Sequence, residues 1–411
     1  MTSRLDRVAQ QIMASPGADR DVCIVSAVRT PLGCLGGTLS SLTAVQLGSV
    51  AIRAALERAS VRPDDVDEVL FGNVLSAGIG QAPARQAALG AGIPVKTPCT
   101  TVNKVCSSGM KAVMLGAMSI ATGQNDVVVV GGMESMSQCP YYIPQARFGM
   151  KYGHGQLIDG CQHDGLWDPY IDAAMGTCGD LCAVEHGITR EQQDAFAAES
   201  YRRAAAATQS GVFRNEIVPV VVKSRKGDVV VERDEQIDKV DFAKMSTLRP
   251  VFDPKNGTVT AASASPISDG AAALILCSRS KAKALGLSVI AVVRGFGDAA
   301  QEPQRFTTAP SLAVPVALAR AGIQLTQVDL FEFNEAFAAV GIANTRILQL
   351  DPAKVNVLGG AVALGHPLGC SGARIIVTLI SALRSKNGRI GCAAICNGGG
   401  GASALIIELQ Q

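Results

Sequence analysis

The chain has 411 residues, 48% of them hydrophobic and 18% charged, with a formal net charge of +2. This is enough for a large core and two or three domains, and the near-neutral charge gives no footing for a nucleic-acid partner. No 18-residue apolar run is free of charges, so no membrane partner is expected either. Twelve cysteines without regular spacing suit a reduced intracellular protein better than a disulfide framework. Cys178/Cys182 and Cys392/Cys396 are each four apart, but no further Cys or His follows at zinc spacing.

Residues 1–20 read as an extension. Arg4 to Ile12 places Leu5, Val8 and Ile12 on one helical face and resembles a type-2 peroxisomal targeting nonapeptide. A mitochondrial presequence fits less well, because Asp6 interrupts it and basic residues are few. The expected location is the cytosol or the peroxisome.

From residue 21 the pattern alternates strand and helix. Asp21 to Val28 reads as a strand, 42–60 as a helix, Asp67 to Val74 as a strand and Gln81 to Ala91 as an Ala-rich helix. Cys99 to Val102 ends a strand, and a buried helix runs from Met110 to Ala121. Asp126 to Gly132 is a near-continuous apolar strand of the kind buried on both faces. The second half repeats the plan. Ala55-Leu56-Glu57-Arg58-Ala59 recurs as Ala317-Leu318-Ala319-Arg320-Ala321, with Val-Asp eight residues after each Arg. Cys106-Ser107-Ser108-Gly109 has an echo in Cys370-Ser371-Gly372-Ala373, at an offset of 264 residues. Ordered matches of this kind point to a duplicated α/β unit. Residues 137–265 hold the only Trp, all five Tyr and three of the four His, and read as an inserted, more polar loop domain. Within it a short helix is expected over Cys178 to Glu185, and Thr189-Arg190-Glu191-Gln192 is a capping box opening a helix to Gln209.

Four stretches carry chemistry. Cys106 stands at a strand-to-helix junction, where the helix dipole is expected to lower a thiol pKa from roughly 8.5. Asn334 lies in Phe333-Asn334-Glu335-Ala336-Phe337, where it can hold a water or donate a hydrogen bond. His366 sits among four glycines and precedes Pro367, which places it in a turn. Cys396 is followed by Asn397 and four glycines whose amides are free to meet a ligand. Each has a structural reading on its own: a buried apolar thiol, a core histidine, a tight turn before the last strand. The glycine run lacks the pattern of a phosphate loop, which excludes a nucleoside triphosphate site.

Together these four stretches resemble the thiolase family over nearly the whole chain from Asp21 onward. The resemblance implies an α/β fold of two duplicated βαβαβαββ halves in a five-layer α-β-α-β-α core. The halves would be 21–136 with 266–288, and 289–411, with the loop domain 137–265 inserted for coenzyme A binding and tetramerisation. Val102-Asn103-Lys104-Val105-Cys106 is similar to the acetoacetyl-CoA branch. The implied activity is acetyl-CoA C-acetyltransferase, joining two acetyl-CoA reversibly into acetoacetyl-CoA and CoA. The alternative is a broad-range 3-ketoacyl-CoA thiolase of fatty-acid breakdown.

The implied roles are Cys106 as nucleophile, His366 as the base that activates it and Cys396 as the acid/base for the α-proton. One oxyanion hole would use His366 and a water on Asn334, the other the amides of Cys106 and Gly398. Coenzyme A contacts fall by resemblance on Tyr201, Lys239, Val240, Asp241, Lys244 and Ser265, with Met175 narrowing the acyl pocket. Ala174 stands where many relatives have His. A potassium site would use Tyr201 with carbonyls of Ala261, Ala262, Ala264 and Val362; Ser263 departs from the usual Asn beside it. No obligatory cofactor is implied, and the expected assembly is a homotetramer.

Overall fold

The computed structural model describes residues 18–225 and 227–410, so the Arg4 to Ile12 segment lies outside the described residues. The first half runs β1 (Val22–Arg29), α1 (Ala44–Ala59), β2 (Glu68–Gly72), α2 (Pro83–Gly90), β3 (Cys99–Val102), α3 (Ser108–Ala121) and β4 (Val127–Ser135). A long connection carries α4 (Met175–Glu185) and α5 (Arg190–Gln209) before β5 (Ser268–Ser278) completes the unit. The second half runs β6 (Ala291–Ala300), α6 (Pro310–Ala321), β7 (Leu330–Phe333), α7 (Ala338–Ile347), α8 (Leu368–Ser385), β8 (Ile390–Asn397) and β9 (Gly401–Leu409).

Strand order is β3-β2-β4-β5-β1-β6-β9-β8-β7. The two halves follow one rule. β2 is parallel to β3 and β4, and β4 continues antiparallel through β5 to β1. β7 is parallel to β8, and β8 continues antiparallel through β9 to β6. Where a copy of β3 would stand, Val355 makes a lone parallel bridge to Phe331. Among the described residues, the halves join edge to edge through two residue pairs, Cys23 with Val292 and Ile24 with Ala291.

The layers follow from which face each helix covers. α1 packs on β1, β4 and β5 through Leu47, Ala51, Ile52 and Ala55. α6 covers β6 and β9 through Ala313, Val314 and Ala317. α3 and α8 lie between the two halves of the sheet and against each other. α8 is long and apolar enough to cross a membrane, but every residue from Leu368 to Leu383 is buried inside this layer. The two central helices approach closely because glycines face across them. A Cβ on Gly109 would stand 2.8 Å from the Ala373 amide nitrogen and 2.8 Å from the Gly369 carbonyl. The Gly of the Cys-Ser-Ser-Gly stretch thus serves helix packing.

Local signals behaved as their chemistry dictates. Thr189 and Gln192 form the expected reciprocal cap on α5, and Thr43 with Gln46 forms another on α1. α4 begins at Met175, three residues before the expected start at Cys178.

Candidate active site

β3 and α3 are separated by Asn103 to Ser107, and Cys106 sits in that turn, 8% exposed. Val105 adopts φ +47°, a left-handed conformation that is unusual for a β-branched residue. Local polar groups hold it there. Asn103 Oδ1 accepts from the Val105 amide at 3.0 Å. Ser108 Oγ accepts from the Lys104 amide at 2.8 Å and donates to the Val105 carbonyl at 2.5 Å. The chain turns sharply, and the Cys106 thiol is set at the entry of the central layer.

The second half brings its groups to the same place. Ser107 Oγ donates to Asn397 Oδ1 at 2.9 Å, and Asn397 Nδ2 donates to the Gly398 carbonyl at 2.8 Å. The Gly398 amide and the Cys106 amide both reach the Cys106 thiol. Cys396 is fully buried and close enough that a charge on Cys106 raises its pKa further, after burial itself. A Cβ on Gly398 would lie 3.6 Å from Met175 Cε and 3.6 Å from Val105 Cγ1, ordinary contacts. The fold therefore does not demand glycine there; the space belongs to the cleft.

His366 precedes α8 and is buried. Ser371 Oγ lies 2.5 Å from His366 Nδ1 and donates its own proton to the Pro367 carbonyl at 2.9 Å. The hydroxyl proton being committed, Nδ1 is the donor and Nε2 keeps its lone pair. Asn334 Nδ2 lies 3.4 Å from each ring nitrogen, and the buried Asn334 Oδ1 has no protein partner. An orphaned acceptor at this depth suits a bound water. Beneath His366, the buried Glu134 accepts from the amides of Val74, Leu75 and Gly369 and from Asn73 Nδ2. It ties the start of α8 to the first half. Burial pushes its carboxyl up to about 7 against those donors.

The electrostatics correct one expectation. The helix dipole does not yield a low-pKa thiol at Cys106. Burial pushes it up to about 12, and the Gly398 and Cys106 amides offset only part of that. Burial, with Arg374 nearby, drives His366 down to about 3. The resting pair is thus neutral thiol and neutral imidazole.

Above the thiol opens a cleft of 1060 Å³, lined by Val74, Asn103, Val105, Met175, Gly398 and Gly399 on one side. Residues 157–172 of the loop domain, including Trp167 and Tyr170, form the other. A second, more apolar cavity of 360 Å³ lies between α5 and α7, with Glu335 among its lining.

The residues expected to hold coenzyme A are not all free for it. Lys239 is paired with Glu235 at 2.6 Å, and Lys244 with Asp241 at 2.9 Å. Ser265 Oγ donates to the Ala336 carbonyl. Tyr201 is 3% exposed, and its hydroxyl accepts from Gln236 Nε2 at 2.9 Å. Val240 is half-buried against the central core. Sequence reasoning missed Ser371, Glu134 and Arg374. Ser371 had a signal, since it lies inside the repeated Cys-Ser stretch; the buried charges had none.

The matching family models describe a thiolase N-terminal domain over residues 22–280 and a thiolase C-terminal domain over 287–409. The chain belongs to the thiolase family. Among its relatives, acetyl-CoA acetyltransferase 2 of Arabidopsis thaliana is 60% identical over 95% of this chain and 97% of its own length. A Gibberella zeae protein named acetyl-CoA acetyltransferase ERG10, cytosolic, is 55% identical over 95% of this thiolase and 98% of its own length. Among solved structures, the Acat5 thiolase from Ascaris suum in complex with coenzyme A matches with a TM-score of 0.90 and 46% identity, over 95% of this chain and 100% of that one. The enzyme is an acyltransferase with coenzyme A as its carrier.

Proposed function

We propose that this thiolase is an acetyl-CoA C-acetyltransferase, condensing two acetyl-CoA into acetoacetyl-CoA and CoA, or running the reverse. The reading rests on one observation above all: the Cys106 thiol meets the Gly398 amide, with the Cys396 thiol beside it, under a cleft narrowed by Met175. The chain also resembles relatives that bear this name.

Cys106 Sγ attacks the thioester carbonyl while His366 Nε2 takes its proton. The amides of Cys106 and Gly398 receive the developing oxyanion. The departing CoA thiolate takes a proton from Cys396, leaving acetyl-Cys106, an imidazolium and a Cys396 thiolate. His366 Nε2–H has now become a donor and, with a water on Asn334, polarises the carbonyl of a second acetyl-CoA. The Cys396 thiolate removes its α-proton, the carbanion attacks acetyl-Cys106, and the Cys106 thiolate leaves and recovers its proton from His366. Protons balance over the cycle, and each group is restored.

In this reading coenzyme A runs past Tyr201, Lys239, Val240, Asp241, Lys244 and Ser265. Lys239 and Lys244 must exchange their carboxylates for phosphates when it binds. A potassium ion suits the Tyr201 hydroxyl and the Ala261, Ala262, Ala264 and Val362 carbonyls. The turn's own hydrogen bonds converge on Thr260 and Ser263 rather than on those three alanine carbonyls. Such an ion would stiffen the turn before Ser265. We divide the chain into an extension (1–20), two halves (21–136 with 266–288, and 289–411) and a loop domain (137–265). Exposed Tyr141, Phe148, Met150, Tyr152 and Leu157 on that domain suit a homotetramer, which light scattering would test against a monomer. The compartment is cytosol or, through Arg4 to Ile12, peroxisome; imaging with and without that segment decides.

The test is steady-state thiolysis of acetoacetyl-CoA against a long-chain 3-ketoacyl-CoA, in potassium and in sodium chloride at equal ionic strength. Faster turnover of the short substrate is expected. Faster turnover of the long chain would assign the enzyme to fatty-acid breakdown instead, and equal rates in both salts would remove the potassium site.

A further inference from the structure

Lys104 precedes Cys106 by two residues, yet its side chain leaves the first half altogether. Its ammonium donates to Asp298 Oδ1 at 2.5 Å, to Ser403 Oγ at 2.9 Å and to the Ala402 carbonyl at 3.2 Å. Three donors meet three acceptors, so no N–H remains for a substrate. Asp298 lies on β6 and Ser403 beside it on β9. Ser403 Oγ also donates to Asp298 Oδ1 at 2.7 Å, which fixes the carboxylate's orientation. Ala402 pairs directly with Cys396 across the β8–β9 hairpin. Lys104 therefore grips the strand opposite Cys396 while its backbone forms the turn that presents Cys106.

Two features make this contact more than a surface ion pair. The turn holds Val105 at φ +47°, a strained conformation for a β-branched residue that persists only where its surroundings over-determine it. Residue 104 is the last anchor before that strained residue. Among the described residues, moreover, the halves share only two strand pairs, where β1 meets the start of β6, at the other end of β6 from Asp298. Beyond the packing of α3 on α8, the register between Cys106 and the Cys396–Gly398 turn is set by side chains crossing between the halves. Lys104 and Ser107 are the crossings made from the Cys106 turn itself, and of these two Lys104 is the charged one.

We infer that Lys104 is a positioning residue: its clamp on Asp298, Ser403 and the Ala402 carbonyl holds the Cys106 turn in register with the Cys396–Gly398 turn of the other half. This rests on Cys106 being the nucleophile. Lys111 supplies an internal control. It donates to Asp298 Oδ2 at 2.6 Å and is as exposed as Lys104, but it lies inside α3, past the strained turn.

The experiment compares Lys104→Met and Lys111→Met in the full-length enzyme, by melting temperature, steady-state condensation and the rate of acetyl mass appearance on mixing with acetyl-CoA. A displacement of the reacting groups by an ångström costs about 100-fold, so Lys104→Met should lower kcat by about that factor with KM within about threefold. Acetylation should still reach one acetyl per chain, only slower. Lys111→Met should lose a comparable amount of melting temperature and keep kcat within about threefold. Equal losses of kcat in both variants, or full kcat in Lys104→Met, would overturn the inference. Should Lys104→Met not fold, Asp298→Asn keeps a hydrogen-bond acceptor for Lys104 without the charge, and the same kcat-without-KM loss is expected of it. Failure of the nucleophile assignment itself would appear elsewhere, as an acetyl mass on Cys106→Ala.

Discussion

Two stretches of this chain descend from the same place in a duplicated unit and have come to do different work. Cys106 stands two residues before α3, in a turn with a left-handed valine, beneath a cleft. Cys370 is the third residue of α8, fully buried, and its thiol is pushed up to about 12 by burial. The resting pKa does not separate them, since Cys106 is raised to the same value. Placement does: the Gly398 and Cys106 amides reach the Cys106 sulfur in a turn whose Val105 lines the cleft, while Cys370 lies inside a helix. The second copy contributes instead the residue four positions earlier, His366, with Ser371 holding its ring. The duplicated plan supplies two helix entries in one central layer, and in the proposed mechanism the chemistry is divided between them.

The most severe test of this contrast replaces each cysteine in turn. Cys106→Ala should abolish acetyl-enzyme formation and lower turnover by about 10⁴-fold or more. Cys370→Ala should still take up one acetyl group per chain, with a stability loss of about 1–3 kcal/mol for the cavity in the central layer. Retained acetylation in the first variant, or its loss in a folded second, would break the comparison.

A smaller effect sharpens the part played by the turn after Cys396. Gly398→Ala should leave the melting temperature nearly unchanged, because the new methyl makes only ordinary contacts with Met175 and Val105. It should lower kcat by about tenfold to 100-fold, since the methyl occupies the acyl group's approach to Cys106. A melting temperature that falls along with kcat would mean the glycine serves the backbone after all.

The mildest prediction concerns pH. Cys106 raised to about 12 and His366 lowered to about 3 keep thiol and imidazole neutral throughout the ordinary working range. The rate of acetylation should then be flat from about pH 6 to 8.5, with the proton passing to His366 only during attack. A tenfold rise per pH unit would signal a pre-formed thiolate instead. Stability should respond at the acid end. Burial works to raise the Asp298 carboxyl, but hydrogen bonds from Lys104, Lys111 and Ser403 outweigh it and bring it down to about 2 from 3.8. A depressed carboxyl contributes stability above 3.8 that is lost as pH falls through about 2. Lys104→Met should raise its folded value and move acid unfolding to higher pH.

Much of this molecule was legible before folding. Apolar period and turn chemistry located β1, α1, β3 and β4 to within a few residues, because those signals are local. The capping box at Thr189 marked its helix to the residue. The repeated Ala-Arg and Cys-Ser stretches pointed to the duplication, and four short motifs, two of them glycine-rich, singled out Cys106, Asn334, His366 and Cys396. What no local pattern carried was the environment. The thiol pKa expected from a helix end was reversed by burial, which depends on the central core that Cys106 joins. Asp298, Glu134 and Arg374 sit in otherwise ordinary strands and helices, far along the chain from the residues they touch. The chain alone determined which residue types stand at which turns, since backbone conformation and capping are written within a few positions. Tertiary structure decided which of those turns meet, how dry the meeting place is and therefore which proton each group holds, because desolvation and charge act through space and not along the chain.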